Sequence, residues 1–421
     1  MRMRRRRRKT MARSSVVVPN LVDPKSYLDH DMLEVWRVLR AQDPVHWHTE
    51  TSEGPGFWVV SRYDDIVRVL RDDVNFTSEK GNVLATMLKG GDMGAGSMLA
   101  VSDGNYHTSM RKLLLEAFSP RSVAGVERHV RRIAKQLIVE AIEKGECDFA
   151  RDIASAIPLE TICDLLDIPQ GDRQEVAKLT KSALASDYEN PEAHADMAAR
   201  SAIVVYFQNL VAERRKAPGT DPISLMATAE VDGRRLKDLD IVLNCYSLIM
   251  GGDETSRLAM IGAVRAFIQN PDQWRALKDR ESSVDVAGEE VLRWTTPAMH
   301  FGRTATADIS LRDRTIRAGD LVTLWLVSGN RDEAVFQNPD RFDITRSPNR
   351  HLALGYGRHF CLGAYLGRIE IRAMLDGLRA FVGAIRQARP ERWIYSNFLT
   401  GMSSLPVVLE RDPAPAVGWE E

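Results

Sequence analysis

The chain has 421 residues, 44% hydrophobic and 27% charged, with a net charge of −1. That composition supports a large buried core and gives no global basic surface for nucleic acid. Its cysteines (Cys147, Cys163, Cys245 and Cys361) lie far apart without paired spacing, which excludes a disulfide framework and predicts a reducing, cytoplasmic setting.

In chain order, Arg4–Arg8 and Lys9 form a basic run, and the apolar stretch after it is broken at Pro19. Residues 1–18 therefore read as a basic extension rather than a secretory signal, and 19–421 as one domain. No stretch reaches the ~18 apolar residues that span a bilayer. Asp31–Arg40 carries helical periodicity in Met32, Leu33, Trp36 and Leu39. Pro44–His48 and Gly56–Ser61 read as strands about a Glu53–Gly56 turn, and Tyr63–Leu70 as an amphipathic helix. Glu79–Ala100 mixes glycines with Met87, Leu88, Met93, Met98 and Leu99. Disordered segments are poor in such side chains, so this reads as a binding loop.

Tyr106–Gly145 and Asp148–Ile168 read as helical. Asp172–Ala217 reads as two helices split near Glu189–Pro191, and Leu236–Asn270 as the longest helix, ended by Pro271. Helices Pro271–Arg280 and Val284–Trp294 follow. Strands are expected over Arg303–Leu326, a polar meander over Arg331–Arg350, a helix over Arg368–Ala388 and a last strand at Val407–Glu410. The fold class is mainly α with a minor antiparallel β portion.

The chemistry concentrates in Leu354–Glu370. Cys361 lies between a glycine-rich turn and a helix start, with Gly355, Gly357 and Gly363 permitting close backbone approach and positive φ. A thiolate at a helix N-terminus is stabilised by the dipole and free N–H groups. Zinc requires further nearby ligands, whereas haem iron takes one strong axial ligand, thiolate among them. In the longest helix, Gly251 and Gly252 each cost roughly 1 kcal/mol against Ala, which points to a kink or a close ligand approach. Beside them, Glu254 and Thr255 pair an acid with an alcohol, suited to proton transfer.

Gly355-Tyr-Gly-Arg-His-Phe-Cys-Leu-Gly363 resembles the haem-binding signature of the cytochrome P450 family, with Leu354 where that family usually has Phe. Gly251–Thr255 resembles its central-helix motif, Glu290-x-x-Arg293 its Glu-x-x-Arg motif, and Asn330–Asp343 its meander. The resemblance implies a triangular prism of helices around a buried haem b, with Cys361 as the metal ligand. It implies His107, Arg111, Arg303 and His359 around the propionates, Gly363 in the cofactor loop, Thr255 holding dioxygen and Glu254 feeding protons. Arg331, Arg341 or Arg346 would complete the Glu290–Arg293 network. The expected substrate pocket includes Met87, Met98, Leu248, Gly251, Met299, His300 and Leu399, with Asp253 facing substrate or solvent.

The implied reaction is monooxygenation of an apolar secondary-metabolite intermediate by a monomeric enzyme. Dioxygen is the co-substrate, and electrons pass from NAD(P)H through a ferredoxin and its reductase. Arg350, Arg358, Lys112 and Arg372 read equally as a docking patch for that donor or as a solvated charged face. A carrier protein is a candidate for presenting the substrate. Oxidative coupling without oxygen insertion and a haem-binding sensor are the rival functions, against which the Glu254–Thr255 pair argues.

Overall fold

The computed structural model describes residues 17–184, 193–231 and 233–413. The basic run and the split near Glu189–Pro191 lie outside them. Helix α1, Met32–Gln42, starts where the Asp31 carboxylate accepts the N–H groups of Leu33 and Glu34, a side-chain cap that satisfies two otherwise unpaired donors. Strands β1, Val45–His48, and β2, Phe57–Val60, form the expected hairpin. Helix α2, Tyr63–Arg71, and the short β3, Phe76–Thr77, follow.

The expected helix over Tyr106–Gly145 is two, α3 (Gly104–Ala117) and α4 (Pro120–Lys144). Ser119 breaks it by capping α4 ahead of Pro120, which suits a first helical turn but not an interior. Nor is Asp148–Ile168 helical throughout. It begins in β4, Glu146–Asp148, and passes through one wide helical turn, Ala150–Ala154, before α5, Ala156–Leu165. Helices α6, Arg173–Leu184, and α7, Ala193–Lys216, lead to α8, Asp238–Gln269, which packs along α5 and α7. After it come α9, Pro271–Lys278, and α10, Val284–Thr295.

Strands β5, His300–Ala305, and β6, Leu321–Trp325, complete a five-stranded sheet in the order β1-β2-β6-β5-β3. Its pairings are antiparallel except β2 with β6, where Trp58 lies opposite Val322. Helix α11, Ala364–Phe381, is shorter than expected at its C-terminal end. Val382–Gln387 is a strand, β7, that pairs with β8, Pro406–Arg411, and β8 pairs with β4. Phe381, Val382 and Ile385 continue a helix-like spacing, but pairing along β8 overrides that local pattern.

The largest core cluster lies between α4, α5, α8, α10 and α11, through residues such as Ile138, Ile162, Leu258, Val291 and Leu375. No described helix is long and apolar enough to cross a membrane.

Candidate active site

Gly355 and Gly357 both adopt φ of 71°. A Cβ on Gly357 would stand 2.6 Å from the carbonyl oxygen of Leu70, so only glycine fits there. Leu354 accepts the Cys361 N–H at 2.8 Å, and Cys361 accepts the Ala364 N–H at 3.4 Å, joining the loop to the start of α11. Gly363 departs from the expectation of positive φ. Its φ is −83°, and a Cβ there would meet nothing nearer than Phe118 at 3.9 Å. The Cys361 side chain is accessible, although many protein atoms lie around it. Burial raises its pKa, while the Gly363 N–H, Arg111 and Arg368 act in the opposite direction.

Four cationic or ionisable side chains converge near this loop. Arg303, on β5, is 5% exposed and donates to the Gly302 carbonyl at 2.7 Å. Burial lowers its pKa to about 10. Arg111, on α3, is also lowered by burial and lies within the field of Cys361. Neither is in an ion pair among the described residues. His107 is buried with Nε2 unpartnered, its ring 4.3 Å from that of His359. Burial, then the charges of His359 and Arg111, bring it down to about 4. His359 reaches Asp103 at 2.9 Å and Ser78 at 3.3 Å. Asp103 also accepts from Thr77 Oγ1 and Ser78 N, each at 2.7 Å. Burial raises Asp103, yet the His359, Thr77 and Ser78 bonds hold it far below the usual carboxylate range. Buried cations without acids are costly unless an anion joins them. The donor set of His107, Arg111 and Arg303 therefore fits a ligand carrying carboxylates.

Across the core, Gly251–Arg257 stays within the continuous α8. Thr255 Oγ1 donates to the Gly251 carbonyl at 3.1 Å. Gly251 is exposed, and a Cβ there would meet nothing within 4 Å, whereas a Cβ on Gly252 would press on Ile162 of α5 at 3.2 Å. Glu254 is buried in a bidentate pair with Arg257, one contact being 2.8 Å. Asp253 is buried as well, which removes solvent from the two surroundings, substrate or solvent, expected for it. Burial first, and Glu254 second, raise it to about 7. Glu370 of α11 is 1% exposed, with Oε2 unpartnered. Burial, opposed by nearby Ser256, brings it up to about 8.

The expected pocket residues divide into two groups. Gly251, Leu248 and Met98 retain exposure. Met87, Met299, His300 and Leu399 are buried. Met87 fills the space that a side chain on Gly302 would occupy. His300 accepts the Leu84 N–H at 3.3 Å and lies 4.5 Å from the Trp325 ring, and burial lowers it to about 3. The Glu79–Ala100 loop contains a helical turn, Leu84–Leu88. It is tied to β5 by Gly302 N to Asn82 O at 2.7 Å and to α8 by Leu99 N to Asn244 Oδ1 at 2.9 Å.

Behind the loop, Glu290 and Arg293 are fully buried and bonded twice, each contact 2.8 Å. Of the three arginines considered for this network, Arg346 supplies the third charge, at 3.0 Å from Glu290. Arg341 contributes its carbonyl, and Arg331 stacks over Trp294 at 4.0 Å. His107, Arg111, Lys112, Leu115, Gly357 and Arg358 line a groove of about 760 Å³. Two of the four expected patch residues are paired, Arg358 with Asp73 at 2.7 Å and Arg372 with Asp285 at 2.6 Å. Sequence spacing gave no sign of Asp103 or Glu370, whose partners are brought together only by folding.

A family model described as Cytochrome P450 matches residues 284–383. The chain is 46% identical over 400 residues to Cytochrome P450 NovI of Streptomyces niveus, covering 95% of this chain and 98% of that one. It is 32% identical to Linalool 8-monooxygenase of Pseudomonas putida, over 93% of this chain and 98% of the relative. Among solved structures, P450 OxyD, involved in the biosynthesis of vancomycin-type antibiotics, superposes with a TM-score of 0.87 at 34% identity. That match covers 93% of this chain and 99% of OxyD. P450BioI, solved in complex with an acyl carrier protein bearing hexadec-9Z-enoic acid, matches with a TM-score of 0.80 at 26% identity, over 90% and 98% of the two chains.

Proposed function

The chain belongs to the cytochrome P450 family and is an oxidoreductase, and on that premise we propose that it inserts one oxygen atom from dioxygen into an apolar intermediate of secondary metabolism. The observation that carries this reading is the convergence of an accessible thiol, Cys361, with the buried Arg303 and the half-buried Arg111, neither of which is in an ion pair among the described residues. Family membership implies haem, and these residues fit it: Cys361 would bind its iron, and His107, Arg111, Arg303 and His359 its two propionates. Haem b, when bound, supplies dioxygen activation with electrons from a ferredoxin and its reductase, ultimately from NAD(P)H.

The chain's own residues then do the positioning and the proton handling. Cys361 is held at one end by Leu354 and at the other by the first turn of α11. Thr255 places a hydroxyl beside Gly251, where the helix surface carries no side chain to exclude a small reactant. Glu254 must leave Arg257 to exchange a proton, whereas Asp253, raised to about 7, holds one near neutral pH. The apolar, partly exposed Leu248 and Met98 favour an apolar substrate. The NovI and OxyD likenesses support a substrate from antibiotic assembly, and the P450BioI complex supports presentation by a carrier protein.

Turnover with a ferredoxin, its reductase, NADPH and labelled dioxygen tests the reading. Candidate free and carrier-tethered substrates should yield a product carrying one labelled oxygen atom. A product that has lost two hydrogens and gained no label identifies a coupling enzyme instead.

A further inference from the structure

Glu289 precedes the Glu290 of the buried network but faces a different set of partners. Its carboxylate takes both Nε and Nη2 of Arg368, at 2.6 and 2.9 Å. The same carboxylate bonds His351 Nε2 at 3.1 Å. His351 Nδ1 accepts the Ala353 N–H at 3.3 Å, so Nε2 carries the ring proton and donates it to Glu289. Burial raises the Glu289 pKa, yet the Arg368 and His351 bonds bring it down to about 2.

These contacts grip both ends of the cysteine loop. His351 stands just before Leu352, where the loop departs, and Arg368 stands in α11, where the chain goes after Cys361. Helical side chains lean toward the helix N-terminus. Arg368 follows that rule, with Nη1 near the Ala364 carbonyl at 3.4 Å, and Ala364 is bonded to Cys361. The guanidinium thereby lies within the field of the Cys361 sulfur. Arg111 is the other cation in that field, but no carboxylate is paired with it among the described residues.

We infer that Glu289 is a positioning residue for the Cys361 thiolate: it fixes Arg368 beside the sulfur and offsets part of its charge. This rests on the proposed function, because it assigns Cys361 as the ligand of haem iron. The Glu289 negative charge and the Arg368 positive charge act in opposite senses on an iron centre that gains an electron. Arg368 favours the reduced form and Glu289 tempers it.

The test measures the one-electron reduction equilibrium of the haem in purified holoprotein, together with the spectrum of its reduced, carbon monoxide-bound form. Glu289→Gln should favour reduction by at least threefold. Arg368→Gln should disfavour it by at least threefold, and Arg368→Lys should restore most of the wild-type value. Opposite shifts are the signature of charge, because a merely structural clamp lowers thermal stability in both variants without setting the sign of the potential. If Glu289→Gln does not fold, the Arg368→Gln and Arg368→Lys pair decides. A wild-type thiolate spectrum with unmoved potentials, or with both variants shifted the same way, would overturn this inference alone. A wild-type spectrum of histidine-ligated haem would overturn the proposed function with it.

Discussion

Two helices of this protein bury a glutamate and an arginine three residues apart, and they put the pair to different uses. On α10, Glu290 accepts from Arg293 twice and also from Asp343 N, Arg346 Nε and Asn349 Nδ2. Arg293 in turn donates to the carbonyls of Asn330, Pro339 and Arg341. On α8, Glu254 is bonded by Arg257 alone among the described residues. Two more buried carboxyls, Asp253 and Glu370, stand near it with raised pKa values. The saturated pair holds a loop in place. Around the sparse pair, burial raises the pKa of Asp253 to about 7 and of Glu370 to about 8. The shared spacing says little about role; the number of partners that folding brings to each carboxylate decides it.

The largest effect should come from emptying the saturated pair. Glu290→Ala leaves Arg293 and Arg346 buried without their acid, and should cost about 3–5 kcal/mol in unfolding experiments. Glu254→Gln should cost less than half as much, because one cation rather than two loses a carboxylate and Gln keeps an acceptor oxygen for it. Equal losses would erase the distinction between the helices.

The glycines sharpen the same contrast. Gly357→Ala meets the Leu70 carbonyl in a positive-φ backbone and should lose roughly 2–3 kcal/mol, read by denaturant titration. Gly251→Ala meets nothing within 4 Å and should change stability by about 1 kcal/mol or less, in the stabilising direction. Its effect on turnover should exceed its effect on folding.

The smallest effect concerns pH. Asp253 is raised to about 7 and Glu370 to about 8, so the folded protein keeps protons that the unfolded chain has lost. Their contribution to stability is complete below the ordinary carboxylate pKa of about 4, and it is lost as pH rises through 7 and 8. Asp253→Asn should flatten the stability profile over that range and gain on the order of 1 kcal/mol at pH 8. An unchanged slope would mean that Asp253 ionises freely in the folded state.

What the sequence made legible was local. Cys361 within its glycines, Thr255 within its helix and Glu290 with Arg293 are each defined by neighbours a few positions away. The mostly helical class and the bounds of α8 followed from periodicity over a long window. The end of α11 did not, because the pairing of β7 with β8 depends on residues some twenty positions further on. Asp103, Glu289 and Glu370 went unnoticed for a related reason. A buried carboxylate is recognised by its donors, and for Asp103 and Glu289 the His359 and Arg368 partners lie on distant segments. His300 and Met299 are expected in the pocket that the resemblance implies; in the fold they are packed against Trp325 and its neighbours.

Cys361 as the iron ligand is the claim on which the rest depends. Its most direct test is the difference spectrum of the reduced, carbon monoxide-bound protein, recorded for the wild type and for Cys361→Ser. The wild type should show the band of thiolate-ligated haem, and the serine variant should lose it while remaining folded by circular dichroism. A wild-type band at the position of histidine-ligated haem, or a thiolate band that survives in Cys361→Ser, would contradict it.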